Sequence, residues 1–202
     1  MKADLVIKNI GKLATMRSKN TPVVGKYMNN VEILEDAYVA IKDGIFIEIG
    51  VGEKYKSIID STTKINDAHG LLVTPGLIDA HTHLVHGGSR ENEFSKKISG
   101  VPYIEILKDG GGILSTVKST KEHSEDELYS KSIKSLDRML ELGVTTVESK
   151  SGYGLDIDTE IKQLKVSHKL NKNHPIDLVH TFLGAHAIPL EYKNNNKKYI
   201  DI

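Results

Sequence analysis

Short β-branched apolar runs punctuate the first third of the chain, and longer stripes at helical spacing alternate with apolar runs over the rest. Leu5-Val6-Ile7, Ala37-Tyr38-Val39-Ala40-Ile41 and Ile45-Phe46-Ile47-Glu48-Ile49 have the composition of strands. Lys42-Asp43-Gly44, between the last two, is a hairpin turn signal. Lys19-Asn20-Thr21-Pro22 and Asn29-Asn30 read as loops. Residues 1–74 are therefore expected to be β structure. They are too short to close a large sheet and suit a small sandwich-like layer.

The pattern changes at Pro75. Leu71 to Asp79 is almost wholly apolar apart from a Pro75-Gly76 turn signal, and it predicts a buried strand over Leu77 to His81. A long connection containing Gly87-Gly88, Gly100 and Gly110-Gly111-Gly112 follows. Ser124 with Glu127 then forms a capping box, Leu128, Ile133, Leu136 and Leu140 recur near helical spacing, and Gly143 supplies a stop. A second strand, Val144 to Glu148, runs into Ser151-Gly152-Tyr153-Gly154. A second helix begins around Asp158 and carries Ile161, Leu164 and Leu170. A third strand, Ile176 to Leu183, ends in Gly184-Ala185-His186.

Three such units in a row predict an α/β fold: a partial TIM-type (β/α) barrel over residues 75–202, preceded by the small β-sandwich-like layer of residues 1–74. A complete barrel takes about 250 residues, more than the whole chain of 202, so about half a barrel is expected. On this reading the chain is the N-terminal part of a longer protein.

Composition narrows the partners. Hydrophobic residues make up 39% and charged residues 27%, as in a soluble globular protein. The 27 basic and 27 acidic residues cancel, so nothing electrostatic points to nucleic acid or to an anionic membrane surface. The lysine- and asparagine-rich stretches Lys118-Ser119-Thr120-Lys121 and Asn194 to Lys198 read as solvated faces. The N-terminal stretch carries charges inside its only apolar run, unlike a signal peptide, and a cytoplasmic protein is expected. With no cysteine in the chain, any metal must sit on His, Asp or Glu.

Candidate chemistry begins at Asp79-Ala80-His81-Thr82-His83. Positions i and i+2 of a strand share a face, so His81 and His83 can aim two imidazoles at one point. In a parallel barrel the carboxyl ends of the strands carry the active site. Imidazole and oxygen ligands suit zinc or iron (Zn2+ or Fe3+).

Pro75-Gly76-Leu77-Ile78-Asp79-Ala80-His81-Thr82-His83 after a β-rich layer is similar to the amidohydrolase superfamily of metal-dependent hydrolases. Within it, four further segments resemble the imidazolonepropionase family. These are His86-Gly87-Gly88-Ser89-Arg90-Glu91-Asn92-Glu93-Phe94, Gly110 to Val117, Glu148-Ser149-Lys150-Ser151-Gly152-Tyr153-Gly154, and Thr181-Phe182-Leu183-Gly184-Ala185-His186.

The resemblance implies hydrolysis of the cyclic amide of 4-imidazolone-5-propanoate to N-formimidoyl-L-glutamate. His81 and His83 would be metal ligands, the metal lowering the pKa of water. Arg90, Tyr153 and Tyr103 would orient the propionate, and His186 would assist at the ring. Packing in a helix is an equal reading for Tyr103. The further ligands and the general base are implied to come from later strands, so no residue of this chain is assigned as catalytic. Alternatives are another cyclic amidohydrolase or aminohydrolase, or an inactive fragment. A homodimer is one assembly open to the full-length protein. His69, His123, His168 and His174 are given no role, and supporting the site's residues from behind, or packing at the rim, suffices for His86 and His180. Glu148, at a strand end, is a weaker candidate base.

Overall fold

The computed structural model describes residues 1–17 and 22–202; of the loop expected at Lys19-Asn20-Thr21-Pro22, all but Pro22 lies outside them. The chain divides into two compact units, Met1–Pro75 and Gly76–Ile202, and its secondary structure is mixed α/β.

In the first unit β1 (Leu5–Ala14), β2 (Ile33–Lys42), β3 (Ile45–Val51), β4 (Lys64–Asp67) and β5 (Leu72–Val73) form one sheet. The order is β3-β2-β1-β4, with β5 also on β1. β1–β2 and β2–β3 are antiparallel, whereas β4 and β5 run parallel to β1. The hairpin is closed by Asp43 and Gly44, both at positive φ (52° and 76°), the signature of a two-residue type I′ turn. Strand alternation divides β2 between two clusters. Tyr38 and Ala40 pack with Val6 and Tyr55, and Ala37 and Val39 pack with Ile10 and Leu13. Asn29 closes a short 3-10 turn, Gly25–Asn29, rather than opening a loop.

The second unit holds a parallel three-stranded sheet, β6 (Leu77–Thr82), β7 (Val144–Lys150) and β8 (Asp177–Thr181), in the order β6-β7-β8. Between β6 and β7 lie α1 (Glu91–Ile98), α2 (Tyr103–Lys108), α3 (Ile113–Glu122) and α4 (Glu125–Glu141). The first three occupy what the sequence suggested was a long connection. They are too short for a long apolar stripe, and Gly100, Gly110 and Gly112, all at positive φ, separate them. α5 (Ile157–Asn173) joins β7 to β8, and α6 (Asn196–Ile200) follows.

α4 starts as its sequence requires. The Ser124 side chain accepts the Glu127 N–H, and Glu127 reaches back to the Ser124 N–H. Leu128 and Leu136 of α4, Val166 and Leu170 of α5, and Val147 and Leu178 of the sheet are buried in one core. Fully burying each such side chain contributes about 1.5–3 kcal/mol.

Two expectations need correction here. β6 is not a buried strand: Leu77 is 54% exposed and Ile78 69%, because β6 is an edge strand paired only with β7. The Lys118–Lys121 stretch is not wholly solvated either. Thr120 is fully buried, its hydroxyl donating to the Thr116 carbonyl and accepting the Gly87 N–H.

Candidate active site

β6 delivers the two histidines with one irregularity. Asp79 pairs with Val147 but Thr82 with Ser149, so an extra residue is accommodated beside His81, and His83 lies just past the strand. The even alternation assumed from sequence is therefore broken locally. The rings are nevertheless neighbours, 6.2 Å apart at 64°.

His83 is the centre of an aromatic cluster. The Tyr153 ring stacks on it at 4.4 Å and 30°, and the His186 ring lies at 4.6 Å. The side-chain Nδ1 of His83 is buried without a hydrogen-bond partner. Burial, and then the neighbouring His186, push its pKa down to about 4, so the ring is neutral near pH 7.

His83, His86, Ser89, Arg90, Thr116 and Tyr153 line a cavity of about 330 Å³. The loop at its mouth is shaped by two glycines for different reasons. Gly88 is at φ +62°, a conformation open to glycine. Gly87 packs against α3, where a Cβ would come within 2.5 Å of the Ser119 backbone. Lys131 of α4 enters the same loop, donating to the carbonyls of His86 (3.0 Å) and Gly88 and approaching the His86 ring. Burial lowers the pKa of Lys131. Burial, and less strongly the charge of Lys131, lower that of His86.

Arg90 opens onto the cavity already paired. Its Nε and Nη2 donate to one oxygen of Glu93 at 2.8 and 2.6 Å, which raises the Arg90 pKa and lowers that of Glu93. The other Glu93 oxygen accepts the Gly112 N–H just ahead of α3. Glu93 sits within a segment the sequence singled out, but its role as the counter-charge of Arg90 was not read there. An acidic residue three positions after an arginine was the available signal.

Of the residues named from sequence, His81, His83, Tyr153 and His186 come together, and Arg90 joins His83 and Tyr153 at the cavity. Tyr103 does not line that cavity; it is half exposed and lies close enough to Arg90 to bear on its pKa. His86 lines the cavity although sequence gave it only a supporting place. Glu148 is tied to Lys150 and to the Thr181 hydroxyl. Among the described residues no group of three or more His, Cys, Asp or Glu side chains is arranged to hold a metal ion.

No family model matches the chain. It is 52% identical over its whole length to the imidazolonepropionase of Alkaliphilus metalliredigens, covering 48% of that protein. It is 55% identical to that of Fusobacterium nucleatum subsp. nucleatum over 99% of the chain and 48% of the relative. Among solved structures it resembles an adenosine deaminase from Xanthomonas campestris with bound zinc (TM-score 0.56, 18% identity, 88% of this chain and 33% of that one). It also resembles E. coli guanine deaminase (TM-score 0.51, 16% identity, 89% and 37%). These likenesses show the fold alone. Along its whole length the chain is similar in sequence to imidazolonepropionases, and it spans about half the length of the curated relatives it matches.

Proposed function

We propose that the chain supplies part of a metal-dependent hydrolase that opens the ring of 4-imidazolone-5-propanoate to N-formimidoyl-L-glutamate, with residues 76–202 forming part of a (β/α) barrel. The parallel order β6-β7-β8 with helices between the strands supports the architecture. The observation that carries the chemistry is the buried, unpartnered Nδ1 of His83 beside His81. A neutral imidazole with an orphaned ring nitrogen is what a metal ligand needs to be, and two imidazoles fit as part of a donor set for zinc or iron. His81 and His83 would hold that ion, which when bound supplies Lewis acidity toward the ring carbonyl and an acidified water.

The chain's own groups would fix the substrate. Arg90 has five N–H donors, of which Glu93 takes two, leaving donors for the propionate. Tyr153 lines the same cavity, and its hydroxyl would donate to the substrate there. His186 would donate to the carbonyl oxygen as negative charge develops there. Proton transfer to the leaving nitrogen is assigned to no residue of this chain.

The test measures metal content and turnover of the chain alone, and of the chain co-expressed with the remaining part of a full-length relative. Negligible turnover alone and clear turnover with bound metal on complementation are expected. A complemented protein that ignores the propionate substrate and turns over a neutral heterocyclic base would favour the aminohydrolase reading instead, because such a base gives Arg90 nothing to hold.

A further inference from the structure

The loop after β7 presents four consecutive backbone N–H groups toward α5, and two side chains of that helix take all four. Glu160 Oε2 accepts from Gly152 at 2.8 Å, and Oε1 accepts from Gly154 at 2.8 Å and Leu155 at 2.9 Å. Gln163 Oε1 accepts from Tyr153 at 3.3 Å. Both side chains are 2% exposed. Converging N–H groups of this kind form a concavity suited to an anion; here the anion is Glu160, placed in the first turn of α5 where the helix dipole favours it. The fit leaves no spare room. A Cβ on Gly154 would come within 2.6 Å of the Glu160 nitrogen and 2.9 Å of its Oε1.

Gln163 does more than cap an amide. Its Nε2 donates to the Val85 carbonyl at 2.6 Å, two residues past His83. One amide group thus spans the loop that carries Tyr153 and the segment that carries His83, and the two rings meet at 4.4 Å. Tyr153 makes this contact from a loop whose Ser151 is anchored separately, its N–H donating to the Thr181 carbonyl and its Oγ accepting the Leu183 N–H, so that the Tyr153 N–H itself is left to Gln163.

We infer that Glu160 and Gln163 are positioning residues that set the Tyr153 ring on His83 by holding the four N–H groups of Gly152–Leu155 and the Val85 carbonyl. The inference deepens the proposed function, since Tyr153 and His83 belong to that site, but its test reads geometry and not turnover.

The experiment follows the imidazole Cε1–H signals of the whole chain by NMR, in samples dilute enough to remain monomeric. The signal that disappears in His83→Gln belongs to His83, and Tyr153→Leu gives its position without the stacked ring. In Gln163→Met, and in the shape-preserving Glu160→Gln, the His83 signal should move at least half of the way to that position. Asn171→Ala is the control: it removes an anchor of Leu178 at the other end of α5, lowers the melting temperature, and should leave the signal in place. The inference is overturned if the His83 signal stays put in folded Gln163→Met, or if Asn171→Ala moves it equally. Absence of metal or turnover would sink the proposed function and leave these displacements unchanged.

Discussion

Gly152 passes His186 with no room for a side chain: a Cβ on it would lie 2.8 Å from the His186 Cβ. Gly152 also sits at φ +111°, where an L side chain is strained. Gly152→Ala should therefore destabilise the fold by about 2–4 kcal/mol, combining backbone strain and overpacking. Urea unfolding measures the loss, and an unchanged midpoint would show that the loop gives way freely.

The Arg90–Glu93 pair predicts a pair of opposite kinetic effects in the complemented enzyme. Arg90→Met should raise KM for the propionate substrate with little change in kcat. Glu93→Gln removes the counter-charge while keeping an acceptor for the Gly112 N–H, and should lower KM; a raised KM would show that Glu93 is needed to aim Arg90. Steady-state kinetics on both variants decides, and an unchanged KM in Arg90→Met removes Arg90 from the site.

Acid should weaken the fold through its histidines. The pKa of His83 is depressed to about 4 and that of His86 is also lowered. Below the ordinary histidine value of about 6.5, the unfolded chain binds protons that the folded chain refuses, so stability declines as pH falls. For His83 the loss develops between about pH 6.5 and 4. Unfolding midpoints across that range should fall, and less steeply in His83→Gln.

Lys131→Met leaves the His86 and Gly88 carbonyls without their donor. A cost of about 1–3 kcal/mol is expected. Removing the cation should also raise the pKa of His86, because Lys131 depresses it. NMR titration of the imidazole signals reads this second effect independently of stability.

His81→Gln and His83→Gln should each lower the zinc or iron content of the complemented protein, whereas His168→Gln should not. Elemental analysis after dialysis makes the comparison.

How far the sequence carried the reading depended on the range of the forces involved. The Ser124–Glu127 cap, the Gly143 stop and the Asp43-Gly44 turn are local, and each formed where the residues demanded it. His81, His83, Tyr153 and His186 were legible because strand ends in a parallel sheet converge. The α1–α3 helices were not, since short segments carry little periodicity. Glu160, Gln163 and Lys131 were missed for another reason. Each looks like an ordinary polar residue on a helix, and only the tertiary fold shows which backbone groups it meets. The bulge beside His81 likewise arises from pairing with β7, which no local pattern reports.

The edge positions of β6 and β8 at the two sides of the sheet carry a practical consequence. Leu77, Ile78, Val179 and Phe182 are each more than half exposed, and apolar side chains left bare on a sheet seek cover. In water they will find it on whatever is nearest. The isolated polypeptide is therefore expected to bind polarity-sensitive dyes, to adhere to chaperones and vessel walls, and to lose monomer on concentration. A purification that ignores this would mistake stickiness for misfolding.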